Sequence, residues 1–215
     1  MKRYTFILII ALLFAGCSFK SSPKFKYRVN ASNSFDSYTD YYLKGETRLA
    51  STELKRAVQN AKEGYDLETL SKIYLGECAL HIAILIHDPC DEYNSIKGLL
   101  KDKSDENYYR MIQGDIENVS IDSLPKEYRS FANYLKHKEY KKAFEAIKEM
   151  ENVSSKLIAA SIMKEHLTKD EIRYILSEAS AMGYKKALKS WYSYLKSKSN
   201  QEEQKIIDKK MEIFK

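Results

Sequence analysis

Cys78, His81, His87 and Cys90 are spaced C-x2-H-x5-H-x2-C. Two thiols and two imidazoles form a zinc donor set, provided their ligand atoms converge within about 2.3 Å of one point. A helix read over 67–87 disperses them. Cys78 and His81 stand about 60° apart on it, whereas His87 turns about 180° from Cys78 and lies far along the axis. The same helix leaves Cys78 about 13 Å from its end. Three further residues cannot then return Cys90 to the Cα separation of about 4.4–6.8 Å that a disulfide needs. The expectation is a buried core thiol, with no metal site and no disulfide. Glu77, on the same helix, is the one candidate for the protected acid of a wall-cleaving reaction, and the ordinary reading is a buried carboxyl paired with a Lys or Tyr. His137 and His166 read as solvated. Glu149 with Glu151, and Asp170 with Glu171, read as solubility and helix-dipole charges. Nucleophile-elbow, zincin, Walker and dinucleotide motifs are absent from the sequence. No catalytic residue and no cofactor are expected, and the chain is not read as an enzyme.

The third cysteine stands in a different context. Lys2 and Arg3 precede an apolar run from Phe6 to Phe14, followed by Ala15, Gly16 and Cys17. A cationic start, a short apolar segment and small residues before a cut site make an export signal, and the run is about half of the roughly 20 residues a spanning helix needs. Leu13-Phe14-Ala15-Gly16-Cys17 resembles the lipobox of bacterial lipoproteins, with Phe14 where that family usually has an aliphatic residue. The resemblance implies that residues 1–16 are removed and that Cys17 becomes an acylated N-terminus holding the chain on a lipid bilayer. Ser18, not Asp, after the cysteine resembles outer-membrane sorting, on the periplasmic or the surface face. Three acyl chains, at about 0.8 kcal/mol per buried methylene, would make the attachment effectively permanent.

The 36 Lys and Arg exceed the 30 Asp and Glu, and loss of residues 1–16 takes only Lys2 and Arg3 from that balance. The remaining excess falls in the C-terminal half, where cations alternate with Glu at helical spacing, as on a solvated helix surface. Nucleic acid is not an expected partner. Residues 17–36, rich in Ser, Lys and Asn, read as the lipidated cysteine and a flexible tether; the alternative is that Phe25, Tyr27 and Val29 form a short strand or pack on the domain.

From 37 to 215 the reading is all-α, with only 7 Gly and 3 Pro in the whole chain. Tyr140, Ala143, Phe144, Ile147 and Met150 form an apolar stripe at helical spacing, as do Tyr184, Ala187, Leu188, Trp191, Tyr192 and Leu195. Thr168-Lys-Asp-Glu171 reads as a capping box, and Gly183 as the stop of the helix it opens. Helices are expected near 37–63, 67–87, 89–102, 104–114, 125–137, 139–150, 154–166, 169–182, 184–197 and 200–214. Cys78-Ala-Leu-His-Ile-Ala-Ile-Leu-Ile-His87 is apolar on every side and so must be central. Short connections force neighbouring helices antiparallel, giving stacked hairpins. Tyr140-Lys-Lys-Ala143-Phe144 recurs as Tyr184-Lys-Lys-Ala187-Leu188, with Leu54-Lys-Arg-Ala57-Val58 as a weaker relative. The pattern resembles tetratricopeptide-type repeats, although Tyr140 and Tyr184 are further apart than that family's repeat of about 34 residues. The resemblance implies that Ala57, Ala143 and Ala187 are helix-crossing residues, with Tyr41 and Gly45 near the aromatic and small positions of a first helix. An irregular bundle is the alternative.

The 17 tyrosines can pack helices or line a groove for an extended peptide. Tyr108, Tyr109, Tyr192 and Tyr194 are the candidates for exposed, partner-binding rings. The function expected is a membrane-anchored envelope lipoprotein serving as a protein–protein interaction module, with another envelope protein as partner. The alternatives are a structural or assembly-assisting, pilotin-like lipoprotein and, third, a cell-wall-active enzyme.

Overall fold

The computed structural model describes residues 23–101 and 104–213, so Cys17 and the signal segment lie outside the described residues. Among the described residues there are eleven α-helices and no strand: α1 Pro23–Lys44, α2 Thr47–Glu63, α3 Leu67–Ala83, α4 Asp91–Ile96, α5 Ser104–Ile112, α6 Lys126–Lys136, α7 Tyr140–Lys148, α8 Val153–Ile162, α9 Lys169–Ala181, α10 Lys185–Ser197 and α11 Gln201–Glu212. The chain is all-α.

The N-terminal end departs from expectation. Residues 23–36, read as tether, are helical and belong to α1. Ala31 and Tyr38 are buried and Phe35 packs against the core between them, a stripe at i, i+4, i+7 that runs through the supposed boundary. The helix expected over 37–63 is two helices. Gly45, at φ +84°, stops α1 in the left-handed region that glycine enters without a Cβ penalty, and Glu46 N–H closes on the Tyr41 carbonyl at 2.9 Å. The turn folds α2 back along α1, the most extensive helix–helix contact among the described residues.

α3 runs through the middle, packed by α1, α2, α4, α5 and α8. Its Leu75, Cys78, Ala79, Leu80 and Ala83 are all buried, as an all-round apolar segment requires. Asp66 caps its start by accepting from Thr69 N–H at 3.2 Å. Gly76 lets α1 approach, since a Cβ there would stand 2.3 Å from Phe35 Cζ.

The C-terminal half follows the predicted punctuation closely. α6 with α7, and α9 with α10, form hairpins. Ala57, Ala143 and Ala187, expected at helix crossings, have no exposed surface. Thr168 and Glu171 make the expected capping box, and Asn200 with Glu203 makes a second at the start of α11. Lys156, buried on α8, reaches α9 through Glu178 at 2.6 Å and the Tyr174 hydroxyl at 3.1 Å. In an open solenoid each repeat touches only its neighbours. Here α10 packs back on α1, and Trp191 of α10 reaches α3, so the stack closes on itself around a main core, with a smaller cluster of Ala31, Ala57, Ala61, Leu70 and Ile73 beside it.

Candidate functional site

Two places concentrate functional side chains: a polar knot behind the end of α3, and a groove crossing one face of the molecule.

The knot corrects the reading of the cysteines. α3 does not continue to His87. It stops at Ala83, and Leu85 turns the chain with φ +64°. Asp88 precedes Pro89, and a residue before proline avoids helical backbone. The early stop brings Cys90 back, and Cys78 and Cys90 form a disulfide with Cα atoms 5.3 Å apart. Asp88 organises the loop: its side chain accepts from Cys90 N–H at 2.7 Å and contacts His81 Nδ1, while its carbonyl accepts from Gln113 Nε2 at 2.8 Å. The Asp88 carboxylate lies beside both sulfurs, but two sulfurs bonded to each other offer no thiolate to a metal, and His87 is exposed beyond the turn. Glu77 stands one helical turn before His81, and burial raises its carboxyl above the usual range. Burial likewise raises Tyr38 and Tyr42. Tyr42 lies between the His81 ring, at 5.3 Å, and Lys186 Nζ, 3.5 Å from its ring centroid. These contacts tie α1, α3, the disulfide loop and α10 together.

Three depressions make up the second place, and neighbouring ones share one lining residue each. The middle one, about 430 Å³, has Leu75, Gly76, Leu124 and Pro125 among its apolar lining and Lys72, Asp105 and Glu127 among its charges. Tyr108 and Tyr128 line it too, edge to face with centroids 5.5 Å apart. Burial pushes the Tyr108 hydroxyl up to about 12 and Tyr128 well above its ordinary value, so both stay neutral donors. Lys72 also lines a depression of about 340 Å³ with Arg28, Ser32, Phe35 and Glu68. At the other side Glu127 also lines one of about 660 Å³, where Glu145, Glu149 and Glu151 face Lys126 and Lys142. Lys142 is itself paired with Glu139. Arg28 is likewise paired, with Asp66 at 2.7 Å, so the contrast between the two sides is the excess of carboxylates around Glu145, Glu149 and Glu151.

The four tyrosines singled out from the sequence are not brought together. All four are half-buried and packed on the core, not free rings. Tyr108 lines the groove. Tyr109 packs on Tyr93 at 5.2 Å with Lys97 Nζ 5.5 Å from its centroid. Tyr192 lines a separate depression beside Leu176 and Ile207. Tyr194 donates to the Lys164 carbonyl at 2.9 Å and meets Trp191 edge on. Among the histidines, His166 stacks on Tyr140 at 3.8 Å and His137 contacts the Asn133 carbonyl. Lys72, Glu127 and Tyr128 were missed as groove residues, because only the packing of α3, α5 and α6 makes them neighbours. No helix among the described residues is long and apolar enough to cross a membrane.

The chain matches no protein family, no curated protein and no solved structure.

Proposed function

We propose that this chain is a lipid-anchored envelope adaptor that holds an extended segment of another envelope protein in the groove between Arg28 and Glu151. The observation carrying the proposal is that Lys72 and Glu127 each line two of the three depressions, which sets the three in a row. A strip of that kind suits an extended chain, with the apolar middle taking a side chain and the polar rim fixing register. Its charges select the occupant's chemistry. An apolar residue would enter the middle depression against Leu75, Leu124 and Tyr108, an acidic residue would face Lys72, and basic residues would face Glu145, Glu149 and Glu151. Tyr108, half-buried at the lining, offers ring area to an occupant. Acylation of Cys17, the outer-membrane address and the tetratricopeptide-like character belong to the same proposal, supported by the signal pattern and by the buried crossing alanines.

The test is site-specific photocrosslinking in intact cells, with the crosslinker at Ser123 in the groove and, as control, at Asp208 on α11. A discrete adduct from Ser123 alone, lost with Lys72→Glu and Glu127→Lys in a protein of unchanged melting, is the expected result. Equal adducts at both positions, or an adduct untouched by the charge reversals, would refute groove binding. Hydrolysis of purified cell wall by the chain would favour the enzyme reading instead.

A further inference from the structure

The disulfide knot holds more donor chemistry than a cross-link uses. The sulfurs of Cys78 and Cys90 and a carboxylate oxygen of Asp88 all lie within 4.8 Å of one another. Cys78 comes from α3, Asp88 and Cys90 from the loop that follows it. A second set of groups surrounds these three. His81 Nδ1 contacts the Asp88 carboxylate, and Cys90 N–H donates to its other oxygen at 2.7 Å. Gln113 Nε2 lies 3.2 Å from Cys90 Sγ and 3.8 Å from Cys78 Sγ, so one amide donor reaches both sulfurs. A disulfide sulfur is a weak acceptor and gains little from it, whereas a thiolate gains a charge-assisted hydrogen bond.

Cysteines enter a chain as thiols, so the reduced knot precedes the disulfide. Two thiolates and a carboxylate then stand close enough to share one ion. Soft sulfur donors suit zinc rather than calcium or magnesium, and three protein ligands leave the fourth tetrahedral position to water. Ligands 2.0–2.3 Å from one zinc stand about 3.3–3.8 Å from each other. The carboxylate oxygen needs only a small shift to meet that condition. The sulfurs meet it by rotation about their Cα–Cβ bonds, with the Cα atoms, 5.3 Å apart, left in place.

We infer that, before the disulfide closes, Cys78, Cys90 and Asp88 bind one divalent ion of the zinc class, and that metal and disulfide are alternative cross-links of the same loop. His81 and Gln113 orient the ligands from outside, as the partners of metal ligands do. Solvent reaches the cluster through the His81 and Asp88 side chains, which keep 27% and 20% of their surface exposed. Asp88 takes the place that spacing alone gave to His87, which is exposed beyond the turn. Uptake of the ion releases the two thiol protons. An organic disulfide, RSSR, reverses the binding by taking two electrons from the bound thiolates. The Cys78–Cys90 bond forms, the S–S bond of RSSR breaks, two RS⁻ leave, and the ion is released because the joined sulfurs no longer supply thiolates. The cluster shares no residue with the groove, so the inference stands apart from the function proposed above.

The experiment uses the full chain in detergent with Cys17→Ala, which leaves Cys78 and Cys90 as its only thiols. Reduced with a phosphine under argon, it should bind one Cd²⁺, read from thiolate-to-cadmium absorption in the ultraviolet, and one Zn²⁺, read by competition with a chromophoric chelator. The oxidised chain and Cys78→Ser/Cys90→Ser should bind neither. Asp88→Asn, which keeps an acceptor for Cys90 N–H, should weaken Zn²⁺ binding about ten-fold or more. Oxidised glutathione added to the zinc-loaded chain should release one equivalent of metal as the Cys78–Cys90 disulfide appears by mass spectrometry. No binding by the reduced chain, whether or not circular dichroism shows it helical, overturns the site. So do binding that survives Cys78→Ser/Cys90→Ser, an affinity unchanged in Asp88→Asn, and zinc that stays bound after the disulfide has formed.

Discussion

The indole N–H of Trp191 donates to the carbonyl oxygen of Ala83 at 2.9 Å, across 108 positions of sequence. Ala83 is the last residue of α3, so its carbonyl is among the four that a helix leaves without an internal partner. A residue of α10 thus finishes α3 from outside. The bond also marks where the C-terminal hairpin locks onto the central helix.

Trp191→Phe should therefore cost more than lost ring area. The Ala83 carbonyl would stay buried without its donor, a loss of about 1–3 kcal/mol beyond the change in packing. Urea unfolding followed by circular dichroism measures it. A midpoint unchanged from wild type would show that the bond contributes nothing.

The Cys78–Cys90 disulfide closes a short loop whose ends are 12 positions apart. Loops of roughly this size gain about 3 kcal/mol from the cross-link in the chain-entropy account. A reductant should lower the melting temperature of the wild-type protein and leave that of Cys78→Ser/Cys90→Ser unmoved. Equal responses in both proteins would contradict the pairing.

Asp66 gives a pH signature. Burial alone would raise its carboxyl, but hydrogen bonds from Arg28 and Thr69, with the charge of Arg28, outweigh burial and hold it below its ordinary 3.8. A carboxyl depressed in the folded state adds stability fully above the unfolded value and loses it as pH falls through the folded one. The protein should therefore lose stability on acidification below about pH 4. Asp66→Asn keeps an N-cap acceptor but removes the charge facing Arg28, and should be less stable at neutral pH by up to about 1 kcal/mol, the range of an ion pair with one exposed partner, with a flatter acid limb. Parallel acid limbs in the two proteins would exclude the pair as their cause.

Gly76→Ala tests the crossing of α1 and α3. The added methyl would press on Phe35, and over-packing of that kind costs about 1–3 kcal/mol. Phe35→Leu in the same chain should recover part of the loss, which a double-mutant cycle measures. Additive effects would mean that the two residues do not oppose each other.

Much of this architecture was legible along the chain. Gly183 and the Thr168–Glu171 box mark helix ends by local chemistry, and the stripes through Tyr140 and Tyr184 place one buried face per helix, because helical periodicity is fixed by the residues within a few turns. Where the structure departs from the local signals, the partners that decide it lie far along the chain. The apolar run to His87 is compatible with helix throughout, and only the turn at Leu85, ahead of Pro89, pairs Cys78 with Cys90. The polar composition of residues 23–36 outweighed Ala31 and Phe35, whose partners lie on α2 and α3. The groove had no local signature, since Lys72, Tyr108 and Glu127 sit on three different helices.

What the sequence determined by itself was the all-α class, the helices of the C-terminal half and the centrality of α3, because hydrogen bonding and amphipathic spacing act within a single segment. What only the tertiary structure decided was the closure of α10 onto α1, the disulfide and the placing of Lys72 and Glu127 each between two depressions. Each depends on where a chain reversal delivers a side chain, and those directions accumulate over many turns that no single segment specifies.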